Sequence, residues 1–168
     1  FAAADLLICR AGAGAVAEVA AAGRPSILVP FPHAADQHQL RNAEAFERAA
    51  AARLVVDSEW TGEKLFEMVR ELAAGRRVLN LFAYTCGFSV AAAAGGAKEV
   101  TSVDLKKSRL EWGKLNLGLN GLPSDNHTFV CSEAFDYLAR ARRQGRTFDL
   151  MVVDPPTFAR AKKPQRAF

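Results

Sequence analysis

A chain of 168 residues, half of them apolar and 24% charged, has enough material for one folded domain with its own core and is too apolar for a disordered segment. Its longest apolar runs fall short of the roughly 20 residues that cross a bilayer, and Phe1-Ala2-Ala3-Ala4-Asp5 lacks the basic flank and apolar run of a secretory leader. A net charge of +4 is too small to imply nucleic acid by itself, and three cysteines without metal-ligand spacing, Cys9, Cys86 and Cys131, point to free thiols in a reducing, cytoplasmic compartment.

Leu6 to Cys9 reads as a short apolar strand, and Ala15 to Ala22 as a helix stopped by Gly23 before Arg24-Pro25. Ser26 to Phe31 is a second strand, bounded by prolines. Gln39 to Ala52 is helical, with Leu40, Ala43, Phe46 and Ala50 on one face. Leu54 to Val56 is a third strand. Thr61 caps a helix whose stripe is Leu65, Met68, Val69 and Leu72, and Gly75 ends it inside the basic joint Ala73-Ala74-Gly75-Arg76-Arg77. The rhythm then repeats: strand Val78 to Phe82, helix Phe88 to Ala94, strand Val100 to Val103, helix Lys107 to Leu119, strand Thr128 to Cys131, helix Glu133 to Arg143 and strand Leu150 to Val153. Gly113 and Gly118 weaken the helix that contains them by about 1 kcal/mol each relative to alanine.

Seven strands and six helices in strict alternation, with strands apolar on both faces, predict an α/β fold: a single doubly wound, mostly parallel seven-stranded Rossmann-like sheet with helices on both faces. The expected organisation is one domain over 1–168 built from two halves, 1–75 and 76–168, because a half with only a few parallel strands would leave a wide sheet edge open.

Gly12, Gly14 and Ala17 satisfy the Gly-x-Gly-x-x-Ala pattern between a strand and a helix, where backbone N–H groups can meet a phosphate. The acidic residue that a dinucleotide site needs after the next strand is missing; that strand runs into Pro30-Phe31-Pro32. His33 and His38 follow the same strand without a third metal ligand, so no metal site is expected. In the second half, Tyr84-Thr85-Cys86-Gly87 turns from a strand into a small-residue helix. Asp104, 17 positions after Gly87, ends the next strand at the spacing of a ribose-binding acid. Glu133, with Ala134 and Phe135, follows the third strand of this half, and Asp154-Pro155-Pro156-Thr157-Phe158 follows the fourth. Gly87, Asp104, Glu133 and Asp154 therefore share the carboxyl-end rim, where parallel sheets bind ligands.

Two resemblances accompany these motifs. Cys9-Arg10-Ala11-Gly12-Ala13, Val16 to Gly23, Pro25 to His33, Asp36-Gln37-His38-Gln39 and Asn42-Ala43 make residues 5–72 similar to the C-terminal GT-B domain of the peptidoglycan glycosyltransferases that add N-acetylglucosamine to lipid-linked muramyl-pentapeptide. That resemblance implies a UDP-sugar site in which Gly12 and Gly14 meet the diphosphate, Glu18 holds the ribose, and His38, Gln39 and Asn42 lie near the sugar. The acceptor domain and the strands that hold the uracil are not in this sequence, so a vestigial scaffold without ligand is the competing reading. Leu79 to Thr85, Thr101 to Asp104, Leu110-Glu111-Trp112, Leu119 to Leu122 and Asp154 to Phe158 make residues 78–163 resemble class I S-adenosylmethionine-dependent methyltransferases, more closely those of 23S ribosomal RNA. This second resemblance implies that Tyr84, Thr85, Cys86 and Gly87 line the methionine end and that Asp104 binds the ribose. Glu133, Ala134 and Phe135 would meet the adenine, and Asp154, Pro155 and Pro156 would carry catalysis at the methyl group and target base. Cys86 stands where a glycine is common and is expected to narrow the turn.

The expectation is a chimera, engineered or generated, in which the first half supplies the sheet side that the second lacks. Numbered along the chain, the strands would run 6-5-4-7-1-2-3, a permuted order that pairs the first strand with the last. Binding of S-adenosylmethionine or S-adenosylhomocysteine without complete native catalysis is the expected function; an RNA methyltransferase fragment with residual activity and a UDP-sugar-binding fragment are the alternatives. Arg140, Arg142, Arg143, Arg146, Lys162, Lys163 and Arg166 either touch RNA phosphates or form a solvated surface.

Overall fold

The structure is a computed structural model, and it describes residues 1–31, 37–56 and 62–156. The expectations for His33, for the Thr61 cap and for Thr157, Phe158, Lys162, Lys163 and Arg166 lie outside the described residues. Among the described residues no helix is long and apolar enough to cross a membrane.

The elements alternate as β1 (Ala4–Cys9), α1 (Ala13–Ala22), β2 (Ser26–Leu28), α2 (His38–Arg48), β3 (Ala52–Leu54), α3 (Gly62–Ala73), β4 (Arg77–Leu81), α4 (Gly87–Ala94), β5 (Glu99–Asp104), α5 (Lys107–Leu119), β6 (His127–Cys131), α6 (Ala134–Arg143) and β7 (Phe148–Val153). All seven strands join one sheet in the order β3-β2-β1-β7-β4-β5-β6, and every pairing is parallel. This is the permuted order expected from the sequence. The last strand lies at the centre, with Leu150 between Leu6 and Val78, and Val153 between Cys9 and Leu81.

Period-2 alternation explains how each strand covers two faces. Leu7, Cys9, Leu79, Leu81, Met151 and Val153 pack with Val16 and Val19 of α1 and Tyr137 and Ala141 of α6 on one side. Ile8, Val78, Leu150 and Val152 pack with Val69 of α3 and Ala91 and Ala92 of α4 on the other. Each layer mixes residues from both halves of the sequence, so neither half buries its apolar faces alone. A fully buried Leu, Val or Met in these layers is worth about 1.5–3 kcal/mol.

The joint is specific as well as apolar. Gly75, at φ +69°, ends α3 and donates its N–H to the Gly96 carbonyl at 2.9 Å. The Arg77 N–H and guanidinium both donate to Asp149, at 2.7 Å from the backbone and 2.9 Å from Nη2. The Arg77 side chain and backbone hydrogen bonds hold the Asp149 carboxyl below its ordinary range, and the same carboxylate raises Arg77. Gly95 lets α4 close on α3, since a Cβ there would run into the Arg70 carbonyl.

The edge of the first half departs from expectation. β2 stops at Leu28, although Val29 still donates to the Cys9 carbonyl at 2.9 Å. β3 is Ala52–Leu54 rather than 54–56, because Ala52 and Leu54 take up the ladder opposite Ser26 and Leu28. α2 accordingly ends at Arg48, and the chain reverses through Ala50 at φ +53°.

A polar chain crosses the second half beneath the rim. Asn80 Nδ2 donates to Ser89 Oγ at 2.8 Å, Ser89 Oγ meets Ser102 Oγ at 2.7 Å, and Ser102 Oγ meets His127 Nε2 at 3.0 Å. His127 stacks on Phe129, and burial pushes its pKa down to about 4.

Two outcomes are expected. Gly95→Ala, at an ordinary negative φ, should cost about 2 kcal/mol or more through collision with backbone, read as a lower urea midpoint; an unchanged midpoint would show that α3 and α4 are not in contact there. Unfolded His127 titrates near its ordinary 6.5, so the unfolded chain binds more protons between about 6.5 and 4. Stability is therefore lost as pH falls through that window, and urea melts of His127→Gln should show a flatter acid slope than the parent.

Candidate functional site

The carboxyl ends of β1, β7, β4, β5 and β6 open onto one cavity of about 810 Å³, a volume suited to a nucleotide-sized ligand. Its walls include Tyr84, Asp104, Glu133, Ala134, Asp154, Pro155 and Pro156 from the second half, and Arg10, Gly12, Phe31 and Gln39 from the first.

The turn after β4 is built from unusual backbone. Phe82, Tyr84 and Cys86 have φ of +57°, +50° and +63°, each costing about 1–2 kcal/mol in a non-glycine residue. Hydrogen bonds hold it there. Ala83 N–H donates to the Val103 carbonyl at 3.0 Å, Cys86 N–H to the Ala83 carbonyl at 2.7 Å, Asn116 Nδ2 to the Thr85 carbonyl at 2.9 Å, and Tyr84 N–H to Asp104 Oδ2 at 3.0 Å.

Asp104 ends β5 with its side chain 5% exposed. Its Oδ1 also accepts from Lys106 N–H at 2.9 Å and lies 3.6 Å from Arg109. Arg109 in turn covers the Tyr84 ring at 4.9 Å. A carboxylate fixed by two backbone donors and one cation keeps lone pairs for a diol, and its position is set before any ligand arrives. Glu133 is the N-cap of α6, where Oε2 accepts from the Phe135 and Asp136 N–H groups at 2.7 and 3.0 Å. That leaves Oε1 as the oxygen able to meet a ligand. Ala134 lines the cavity beside it, whereas the Phe135 side chain is exposed and is not part of the wall.

Cys86 is fully buried and turned away from the cavity, against Leu110 and Ala83. Burial raises its thiol to about 11. It fits because α5 carries Gly113 opposite: a Cβ on Gly113 would run into Cys86 Sγ. The glycine that sequence reasoning counts as a weak point of the helix is the space that the cysteine occupies. Thr85 is half-buried, and Gly87 opens α4.

The nucleotide-sugar residues are divided. Gly12 and Gln39 line the cavity, and Gln39 Oε1 accepts from the Phe31 N–H at 2.9 Å. Asn42 donates to the Ala11 carbonyl at 3.0 Å, inside the scaffold. Gly14, Glu18 and His38 are exposed and lie outside the cavity wall. The arginines of α6 are partly engaged: Arg140 lies over Tyr137 at 5.5 Å, and Arg146, just beyond the helix, pairs with Glu99 at 3.3 Å. Among the described residues no cluster of three metal-ligating side chains occurs.

Sequence reasoning missed Arg10, Phe31 and Arg109. Arg109 stands five positions after Asp104 in the first turn of α5, a spacing that could have revealed it. Arg10 Nε donates to Asp154 Oδ1 at 3.1 Å across the β1–β7 seam, a contact visible only once the strand order is known.

Residues 37–163 match the family model of S-adenosylmethionine-dependent methyltransferases, so the match begins before the joint. Ribosomal RNA large subunit methyltransferase K of Neisseria meningitidis is 50% identical over 95 residues, 56% of this chain and 27% of that protein. A second relative, the UDP-N-acetylglucosamine–N-acetylmuramyl-(pentapeptide) pyrophosphoryl-undecaprenol N-acetylglucosamine transferase of Solibacter usitatus, is 72% identical over 69 residues, 41% of this chain and 19% of that one. The solved methyltransferase SMU.776, complexed with SAH, shares 45% identity over 58% of this chain and 26% of its own, with a TM-score of 0.55. The chain thus spans about a fifth to a quarter of the length of these curated relatives.

The Cys86–Gly113 contact is testable. Gly113→Ala should lower the thermal midpoint and loosen the turn beneath Asp104, and adding Cys86→Gly should restore most of the loss. Differential scanning fluorimetry of the two variants reads this; a loss of the same size in both would show that the collision is not the cause.

Proposed function

The chain belongs to the S-adenosylmethionine-dependent methyltransferases, and from that premise we propose that the rim cavity binds S-adenosylmethionine and S-adenosylhomocysteine. The observation that carries this is the gathering of Tyr84, Asp104, Glu133 and Asp154, from four successive strand ends, around one cavity. In this reading the residues run along the cofactor. Tyr84, in the 84–87 turn, meets the methionine end, Asp104 accepts from the ribose hydroxyls, and Glu133 and Ala134 border the adenine, while Phe135 and Cys86 lie outside the wall. Asp154-Pro155-Pro156 faces the reactive end, where the bound cofactor supplies an electrophilic methyl group on a sulfonium.

The protein's own contribution is order. Asp104 is held by Tyr84 N–H and Lys106 N–H, so ribose recognition needs no rearrangement of the acid. The prolines after Asp154 stiffen the chain where an acceptor would lie. The acceptor class that best suits the relatives is a base of large-subunit ribosomal RNA, with Arg140, Arg142 and Arg143 of α6 as phosphate contacts.

We read the molecule as a chimera, engineered or generated, as one domain with a glycosyltransferase-like half (1–75) and a methyltransferase-like half (76–168). Cofactor binding is its retained function and full methyl transfer is not. Glu18, Gly14 and His38 lie outside the cavity wall, which favours cofactor binding over a UDP-sugar site.

Isothermal titration calorimetry with S-adenosylhomocysteine, and separately with UDP, tests this. Saturable one-to-one binding of the former, weakened about tenfold or more by Asp104→Ala through loss of a buried charged acceptor, is the expected result. Heat with UDP alone, or affinity indifferent to Asp104, would overturn it.

A further inference from the structure

Resting on the reading of the rim as a cofactor site, we propose that Arg109 binds the amino-acid carboxylate of S-adenosylmethionine and S-adenosylhomocysteine. Asp104, Glu133 and Asp154 all line the cavity, so a ligand that carries a carboxylate meets an acidic wall. A cation has to stand where that group enters. Arg10 and Arg109 are the cations of the wall among the described residues. Arg10 leaves β1 and donates to Asp154 Oδ1 at 3.1 Å, at the reactive end. Arg109, in the first turn of α5, stands over the ring of Tyr84, the residue assigned to the methionine end, with its guanidinium carbon 4.9 Å from the ring centroid.

The Arg109 guanidinium has donors to give. Its Nη1 lies 3.6 Å from Asp104 Oδ1, an ion pair longer than a hydrogen bond. The backbone N–H of Arg109 goes to the Lys106 carbonyl at 3.1 Å, and no guanidinium N–H hydrogen-bonds an acceptor among the described residues. Stacking on Tyr84 uses the face of the guanidinium. It leaves the N–H groups at the edge, in the plane where a carboxylate accepts a bidentate pair of bonds. The side chain is 38% exposed and lines the cavity, so a ligand can reach that edge. Tyr84 is tied in turn to the ribose acid, because its N–H donates to Asp104 Oδ2 at 3.0 Å. Acid, ring and guanidinium therefore form one unit. A ligand whose ribose meets Asp104 carries its amino-acid tail past Tyr84 and within reach of Arg109.

The test compares S-adenosylhomocysteine with its decarboxylated analogue, which keeps the adenosine, the sulfur and the amine and lacks only the carboxylate. Dissociation constants are measured by calorimetry on the whole chain. The parent should prefer S-adenosylhomocysteine. In Arg109→Ala that preference should fall about five- to tenfold, between the scale of an exposed ion pair and that of a buried charge-assisted hydrogen bond. Arg109→Gln removes the charge and keeps an amide of similar reach; it should lose most of the preference too, and it decides the matter if Arg109→Ala does not fold. A role through Asp104 or Tyr84 alone would weaken both ligands alike and leave the preference fixed, which overturns the proposal. Equal affinity of the parent for both ligands overturns it as well, as does a preference lost in Arg10→Ala and kept in Arg109→Ala. Failure of the parent to bind S-adenosylhomocysteine at all defeats the cofactor reading, and this proposal with it; tight binding with a preference indifferent to Arg109 defeats this proposal alone.

Discussion

Strand β7 is hydrogen-bonded on both sides, to β1 from one half of the chain and to β4 from the other. Without it, β1 and β4 would each present an unpaired edge, and two small sheets would have to protect two open faces. Its sequence suits the position. Leu150, Met151, Val152 and Val153 are all buried and feed both core layers in alternation. The register of this one strand also sets the level at which Cys9, Leu81 and Val153 end, and therefore where Arg10, Phe82 and Asp154 enter the rim. Sheet closure and site assembly are the same event.

The strand order was legible because its logic is generic. The fourth strand of the second half needs a neighbour on its far side from β4, and a first half with three apolar strands needs an edge to join. Backbone ladders are indifferent to the origin of the chain, so complementary need predicted adjacency. The bounds of β2 and β3 were less legible. Val55 and Val56 carry the β-branched signal, yet Ala52 and Leu54 form the ladder, since pairing with Ser26–Leu28 decides the register. In the site, Asp104, Glu133 and Asp154 could be read from strand ends. The Arg10–Asp154 pair joins residues 144 positions apart, and no periodicity encodes it. The packing role of Gly113 was not legible for a related reason: helix propensity describes the residue alone, whereas the volume it leaves for Cys86 depends on the fold.

The turn over Phe82–Cys86 concentrates backbone strain that the rest of the second half offsets. Three left-handed non-glycine residues in five positions would not persist in isolation. They persist because β5 receives the Ala83 N–H, α5 donates from Asn116, and Asp104 accepts from Tyr84. Asp104 thereby serves two ends: it stabilises the turn that forms one wall of the cavity, and it faces the cavity itself. The strained turn forms part of the cavity wall, and its supports all come from the second half of the chain.

That asymmetry separates what the sheet requires from what the cavity requires. The sheet needs only main-chain hydrogen bonds and apolar volume, which both halves supply in a common form. A ligand site needs particular atoms at particular places, and here those atoms travel with their own half. Tyr84 N–H and Asp104 support each other and Glu133 is held by the first turn of α6, whereas Gly14, Glu18 and His38 lie outside the cavity wall that Gly12 helps to form. Arg10 is the exception, because strand neighbourhood alone delivers it to Asp154. The seam therefore does more than complete the sheet: it brings the Arg10 guanidinium of one half against the Asp154 carboxylate that follows the central strand of the other, at the cavity wall.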